Sequence, residues 1–164
     1  NHCVAVAWYF VTQTKIIDQL RLTILICVAL LHDIMEDTIF ARPGYLQFIF
    51  DGFNPDIAYC SNILTKLKCS EDPFKIMLAD FHPVTLMVKG GDRLHNLKTI
   101  SDCLVEKIER KVLETRTIII PWLKNLSKIP EKYKLQIIID ELSAIVKLIE
   151  GEIVIIERSL LIPS

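Results

Sequence analysis

A chain of 164 residues, 51% of it hydrophobic, is long enough to bury a core and too apolar to stay disordered. Nineteen Lys and Arg against twenty Asp and Glu leave a formal charge of −1, which gives no cationic surplus for a phosphate backbone and excludes nucleic acid as the general partner. The five cysteines, at 3, 27, 60, 69 and 103, contain no CxxC pair, which argues against a thiolate zinc site or a disulfide framework and for a cytoplasmic protein.

Helical periodicity runs through nearly every segment, and no stretch alternates apolar and polar residues as a half-buried strand would. An all-α fold is expected, as one domain over 1–164. The first helix is predicted from His2 to Thr12. The second starts at Asp18 as N-cap and continues to about Glu36. Its apolar run, Leu22 to Leu31 broken only by Thr23, is short of the roughly 18 residues of a membrane span and reads as a buried helix, so no membrane partner is expected. Asn54-Pro55 reads as an N-cap followed by proline at the first helical position, and His82-Pro83 opens another helix in the same way. Connections are expected at 41–44, 51–55, 69–73 and 128–130, where Gly, Pro or Ser/Asp cluster.

In the C-terminal third, Leu135, Ile138, Leu142, Ile145, Ile149, Ile153, Ile156 and Leu160 recur at steps of three or four. They predict one long helix with an apolar stripe, interrupted only by Gly151, that could also pair with a second copy of the chain in a homo-oligomer. The isoleucine triplets at 118–120 and 137–139 would suit strands, but the surrounding period favours helix. Trp8, Met35 and Trp122 sit on apolar stretches and read as core.

Three segments carry chemistry. In LLHDIMEDT, 30–38, a helix would stack His32 over Glu36 and Asp33 over Asp37. Imidazole and carboxylate together suit Mn²⁺, Fe²⁺ or Zn²⁺; the alternative is a helix end with solvated acids, although acids there oppose the helix dipole. In KGGDRLHNLKT, 89–99, Lys89, Asp92, Asn96 and Thr99 would share a helical stripe able to hold a metal beside a phosphorylated ligand. A kinked surface helix is the alternative there. Gly90 and Gly91 hint at the close approach of a backbone or ligand. Arg93 points to another face and is expected to pair with an acid elsewhere. His95 is expected in a packing or supporting role, and His82 at a helix start. The third segment is HCVAVA at 2–7, opened by His2.

The order His2, His32-Asp33, Asp92 resembles the HD metal-dependent phosphohydrolase superfamily. LLHDIMEDT and DRLHNLKT, with HCVAVA, LTKL at 64–67 and ETRTIIIPWLKNL at 114–126, more closely resemble the hydrolase domain of the RelA/SpoT enzymes and the small alarmone hydrolases. The resemblance covers 2–126 and leaves 127–164 as C-terminal helices. It implies an HD-domain helical bundle that removes the 3′-pyrophosphate of (p)ppGpp with one Mn²⁺ held by His2, His32, Asp33 and Asp92. It further implies that Glu36 and Asp37 orient and activate the attacking water, that Asn96 and Thr99 contact the nucleotide, and that Lys66 and Lys89 are phosphate or structural partners. Gly90-Gly91 departs from the family's larger residue and alanine, and Ile119 stands where the family has tyrosine. No nucleotidyl-synthetase motif is recognised, so hydrolysis of the alarmone is expected and not its synthesis. An HD hydrolase of another nucleotide and a helical module that binds alarmone without turnover are the competing readings.

Overall fold

The computed structural model describes residues 2–13, 18–33, 52, 54–69, 82–125 and 132–160. Among these the secondary structure is entirely helical: α1 (His2–Gln13), α2 (Gln19–Leu31), α3 (Pro55–Cys69), α4 (Pro83–Lys98), α5 (Val105–Glu114), a π-helical turn (Thr115–Ile119), α6 (Ile120–Asn125) and α7 (Lys132–Leu160). The all-α expectation is met. The chain forms two compact units, Asn1–Asp92 and Arg93–Ser164, with the division inside α4.

The first unit starts its helices where local chemistry dictates. Asp18 has an extended backbone, and its carboxylate accepts from the Leu20 and Arg21 N–H groups at 3.0 and 3.2 Å, satisfying donors that the first turn leaves without partners. Asn54 accepts from the Asp56 N–H at 2.8 Å just ahead of Pro55, and Pro83 opens α4 with the His82 carbonyl accepting from Leu86. Helices α1 and α2 pack together, and α2 packs on α3, around Val6, Phe10, Leu25, Val28, Ala58 and Leu64.

Two expectations about this unit are corrected. Helix α2 ends at Leu31, with His32 and Asp33 in a turn, so it does not run on toward Glu36. The His32 ring folds back and its Nδ1 bonds the Ala29 carbonyl at 2.6 Å, satisfying an acceptor that an ending helix leaves open. Trp8 is 65% exposed and not core. Helix α1 buries Val6, Ala7 and Phe10, and Trp8 stands two residues, or about 200°, from both Val6 and Phe10. The close approach at Gly91 is to a side chain of the core: a Cβ there would lie 2.7 Å from the Phe10 ring.

In the second unit α7 is a single helix that carries Gly151 in its interior. It packs on α5, the π turn and α6, burying Leu135, Ile138, Leu142, Val146 and Ile149 against a core that includes Val112, Ile119, Trp122 and Leu123. Over 135–149 the expected stripe is thus a packing face, Trp122 is core as expected, and both isoleucine triplets are helical. The break between α4 and α5 at 99–104 is not among the expected connections; it contains neither Gly nor Pro, and only Thr99, Ser101 and Asp102 mark it. The residues at 41–44, 70–73 and 128–130, together with Asp51, Phe53 and Met35, lie outside the described residues.

Candidate metal centre

Three parts of the first unit meet at one cluster: His2 at the start of α1, His32-Asp33 in the turn after α2, and Asp92 on α4. His2, His32 and Asp33 each present a ligand atom, all within 4.8 Å of one another. His2 Nε2 lies 3.0 Å from Asp92 Oδ1 and 3.7 Å from Asp33 Oδ2, while His32 Nε2 lies 3.3 Å from Asp33 Oδ1 and 3.8 Å from Asp92 Oδ1. The two imidazoles stand with centroids 5.3 Å apart. All four residues expected as ligands are therefore brought together.

The orientation of the His32 ring is set by its backbone partner. A carbonyl oxygen only accepts, so Nδ1 donates to Ala29, and Nε2 is the ring nitrogen left to face the cluster. That Nε2 is buried and has no hydrogen-bond partner, although carboxylate oxygens face it. Carboxylate oxygens gathered around this nitrogen, on a residue only 2% exposed, call for positive charge among them, as a proton or as a metal cation. Two imidazoles and two carboxylates suit a borderline or hard divalent ion of the Mn²⁺, Fe²⁺ or Zn²⁺ type, and the residues fit such an ion.

Asp92 is prepared as a ligand. Burial alone would push its carboxyl up, but the Lys89 ammonium, with His2 and His32 beside it, holds it well below the usual carboxylate range. It is thus ionised at neutral pH despite being 4% exposed. The Lys89 Nζ donates to Asp92 Oδ2 at 2.9 Å. Cys3, which carries no motif of its own, donates its thiol to Asp33 Oδ2 at 3.7 Å. Its own burial and the neighbouring Asp33 charge push that thiol up; only its place beside His2 in the sequence could have drawn notice.

The other candidates fall elsewhere. Glu36 and Asp37 lie outside the described residues, and Lys66 is on α3 with its side chain undescribed. Asn96 and Thr99 belong to the second unit, where the Thr99 hydroxyl donates to the His95 carbonyl at 3.0 Å. Arg93 meets Glu114 through both terminal nitrogens, at 2.6 and 3.4 Å, in the expected pairing with a distant acid. His82 stands at the start of α4, with Nδ1 3.1 Å from the Cys60 sulfur. Cys3, Cys27, Cys60 and Cys103 are free thiols, and no helix among the described residues is long and apolar enough to cross a membrane.

Comparison with known proteins gives partial matches. Over 118 residues the chain is 30% identical to a probable GTP pyrophosphokinase of Mycobacterium leprae, covering 66% of this chain and 14% of that protein. Over 107 residues it is 37% identical to the GTP pyrophosphokinase rsh of Brucella suis and equally to that of Brucella abortus, covering 58% of this chain and 14% of each relative. No family model matches the chain, and no solved structure matches it. The chain spans about one seventh of the length of these relatives, and over the part it matches, the similarity supports the RelA/SpoT kinship that its motifs imply.

Proposed function

We propose that this chain is a Mn²⁺-dependent hydrolase of the HD type that removes the 3′-pyrophosphate of (p)ppGpp, releasing GDP or GTP and pyrophosphate. The observation that carries the metal half of this reading is the buried, unpartnered Nε2 of His32 facing Asp33 and Asp92. The substrate half rests on the motif resemblance and on kinship with enzymes named GTP pyrophosphokinases. The activity in those names belongs to proteins about seven times as long as the match, whereas a histidine–carboxylate cluster that holds a divalent ion can supply the activated water that hydrolysis needs.

His2, His32, Asp33 and Asp92 would hold the ion, with the His32 ring oriented by Ala29 so that Nε2 faces it. A bound divalent ion would supply positive charge to the phosphoryl oxygens and acidify the attacking water. Glu36 and Asp37, adjacent in sequence to the ligand turn, are assigned by the resemblance to orient that water and accept its proton, which requires an approach of about 2.6–3.2 Å. The water oxygen forms a bond to the phosphorus attached at O3′. The bond between that phosphorus and O3′ breaks, O3′ takes up a proton, and pyrophosphate leaves. Asn96, Thr99 and Lys66 enter as nucleotide contacts on the resemblance alone.

The test is pyrophosphate release from ppGpp by the full chain, with and without Mn²⁺, beside incubation with ATP and GTP. Metal-dependent release with GDP as the other product is expected, together with no synthesis of ppGpp. Retained Mn²⁺ without release would move the substrate to another nucleotide. Turnover-free ppGpp binding that survives Asp33→Ala would establish the non-catalytic module instead.

A further inference from the structure

Lys89 is open to two roles by sequence, and the geometry decides between them. We infer that Lys89 is a positioning residue that pins the Asp92 carboxylate for the metal, and not a contact to substrate phosphate; the inference rests on the metal centre proposed above. Lys89 and Asp92 lie three residues apart on α4, a spacing that puts them on one face. The ammonium takes Asp92 Oδ2 at 2.9 Å, while the other oxygen, Oδ1, faces His2 at 3.0 Å and His32 at 3.8 Å. Each oxygen of the carboxylate therefore has its own side. The one bound to Lys89 is withdrawn from the cluster, and the other is presented to it as a single ligand atom.

A carboxylate side chain only 6% exposed needs this support. Without the Lys89 bond the carboxylate would be freer to turn, and a rotated carboxylate no longer presents Oδ1 to the cluster. The Lys89 side chain is itself 13% exposed and already engaged, so reaching a phosphate would mean giving up a short charge-assisted bond and leaving Asp92 Oδ2 without it.

The two roles predict opposite responses, because a lysine near a cation site is by simple Coulomb repulsion a hindrance. If Lys89 contributed only its charge, removing it would tighten Mn²⁺ binding. If it positions Asp92, removing it weakens binding despite the lost repulsion. The experiment titrates Mn²⁺ into the full-length chain and follows the signal of free Mn²⁺ by electron paramagnetic resonance, for wild type, Lys89→Met, Lys89→Gln and Lys89→Arg. A loss of about 10–100-fold in affinity is expected for Lys89→Met, the range typical when the partner of a ligand is removed, with Lys89→Arg restoring most of it and Lys89→Gln intermediate. Circular dichroism checks that each variant is folded, and should Lys89→Met fail to fold, Lys89→Gln decides alone. Unchanged or tighter Mn²⁺ binding in these variants overturns the inference, as does a raised KM for ppGpp with unchanged metal affinity. Failure of wild type to bind Mn²⁺ would overturn the metal centre as well, whereas wild-type binding that Lys89 does not influence would overturn this inference alone.

Discussion

Asp92 and Arg93 are neighbours on α4, both buried and both charged, yet they end in opposite situations. Arg93, in the second unit, finds Glu114 and forms a two-pronged pair in which charge is matched by charge. Asp92, in the first unit, joins a second carboxylate and two imidazoles, one of which turns a ring nitrogen without a hydrogen-bond partner toward acid oxygens. The first matches both terminal guanidinium nitrogens to carboxylate oxygens, with only Arg93 Nε left over, while the second gathers two carboxylates and two imidazoles around one small space. A buried polar group that closes on itself is part of the architecture. One that assembles surplus acceptors around a small space is built for a ligand.

The difference can be broken from either side, and the largest effect is expected at the ligands. Asp33→Ala should lower both Mn²⁺ affinity and pyrophosphate release by more than about 100-fold, beyond the upper range for loss of an outer partner, with the far-ultraviolet circular dichroism of wild type retained. A variant that still bound the ion normally would remove Asp33 from the ligand set. Arg93→Met should do the reverse, leaving Mn²⁺ affinity intact while costing about 2 kcal/mol in denaturant unfolding. That is less than the roughly 3–5 kcal/mol for breaking a fully buried pair, because the Glu114 side chain is 26% exposed and partly solvated.

Acid sharpens the contrast further. The carboxyl of Asp92 is depressed on folding, so its contribution to stability is complete above the unfolded aspartate value of about 3.9 and is lost as pH falls from there through the lower folded value. The metal-free chain should therefore lose stability steeply below about pH 4, and Asp92→Asn should flatten that part of the curve. An acid limb unaltered by Asp92→Asn would show that the carboxylate is not held as the geometry indicates.

The smallest expected effects come from one substitution placed in each unit. Gly151 is exposed in the interior of α7, with open space where a Cβ would stand, so Gly151→Ala should stabilise by about 1 kcal/mol through helix propensity. Gly91→Ala gains the same propensity but drives a methyl into the buried Phe10 ring, and overpacking of about 1–3 kcal/mol should turn the sign to a net loss. Thermal unfolding of the two variants measures both, and a stabilising Gly91→Ala would mean that the core around Phe10 yields easily.

Much of the fold is legible in local chain chemistry. The Asp18 and Asn54-Pro55 starts need only a side chain and the N–H groups two or three residues on, the His82-Pro83 start needs only the fixed φ of its proline, and the long α7 needs only its own period. The end of α2 is less legible, because it depends on a histidine ring folding back onto Ala29, a choice that competes with continuing the helix. The exposure of Trp8 can be read from the wheel of α1, but only once Val6 and Phe10 are known to face the core.

For the site, the sequence by itself determined the donor types and their order: His2, His32-Asp33 and Asp92, with Lys89 one helical turn before the last. What only the tertiary structure decided is that His2 and Asp92, 90 residues apart, stand 3.0 Å from each other, that Lys89 directs its charge to Asp92, and that Phe10 fills the space beside Gly91. The reason is physical. Caps and helical stripes are set by neighbours within a turn, whereas the closing of a cluster and the matching of a ring to a missing side chain depend on which distant surfaces the hydrophobic core brings together.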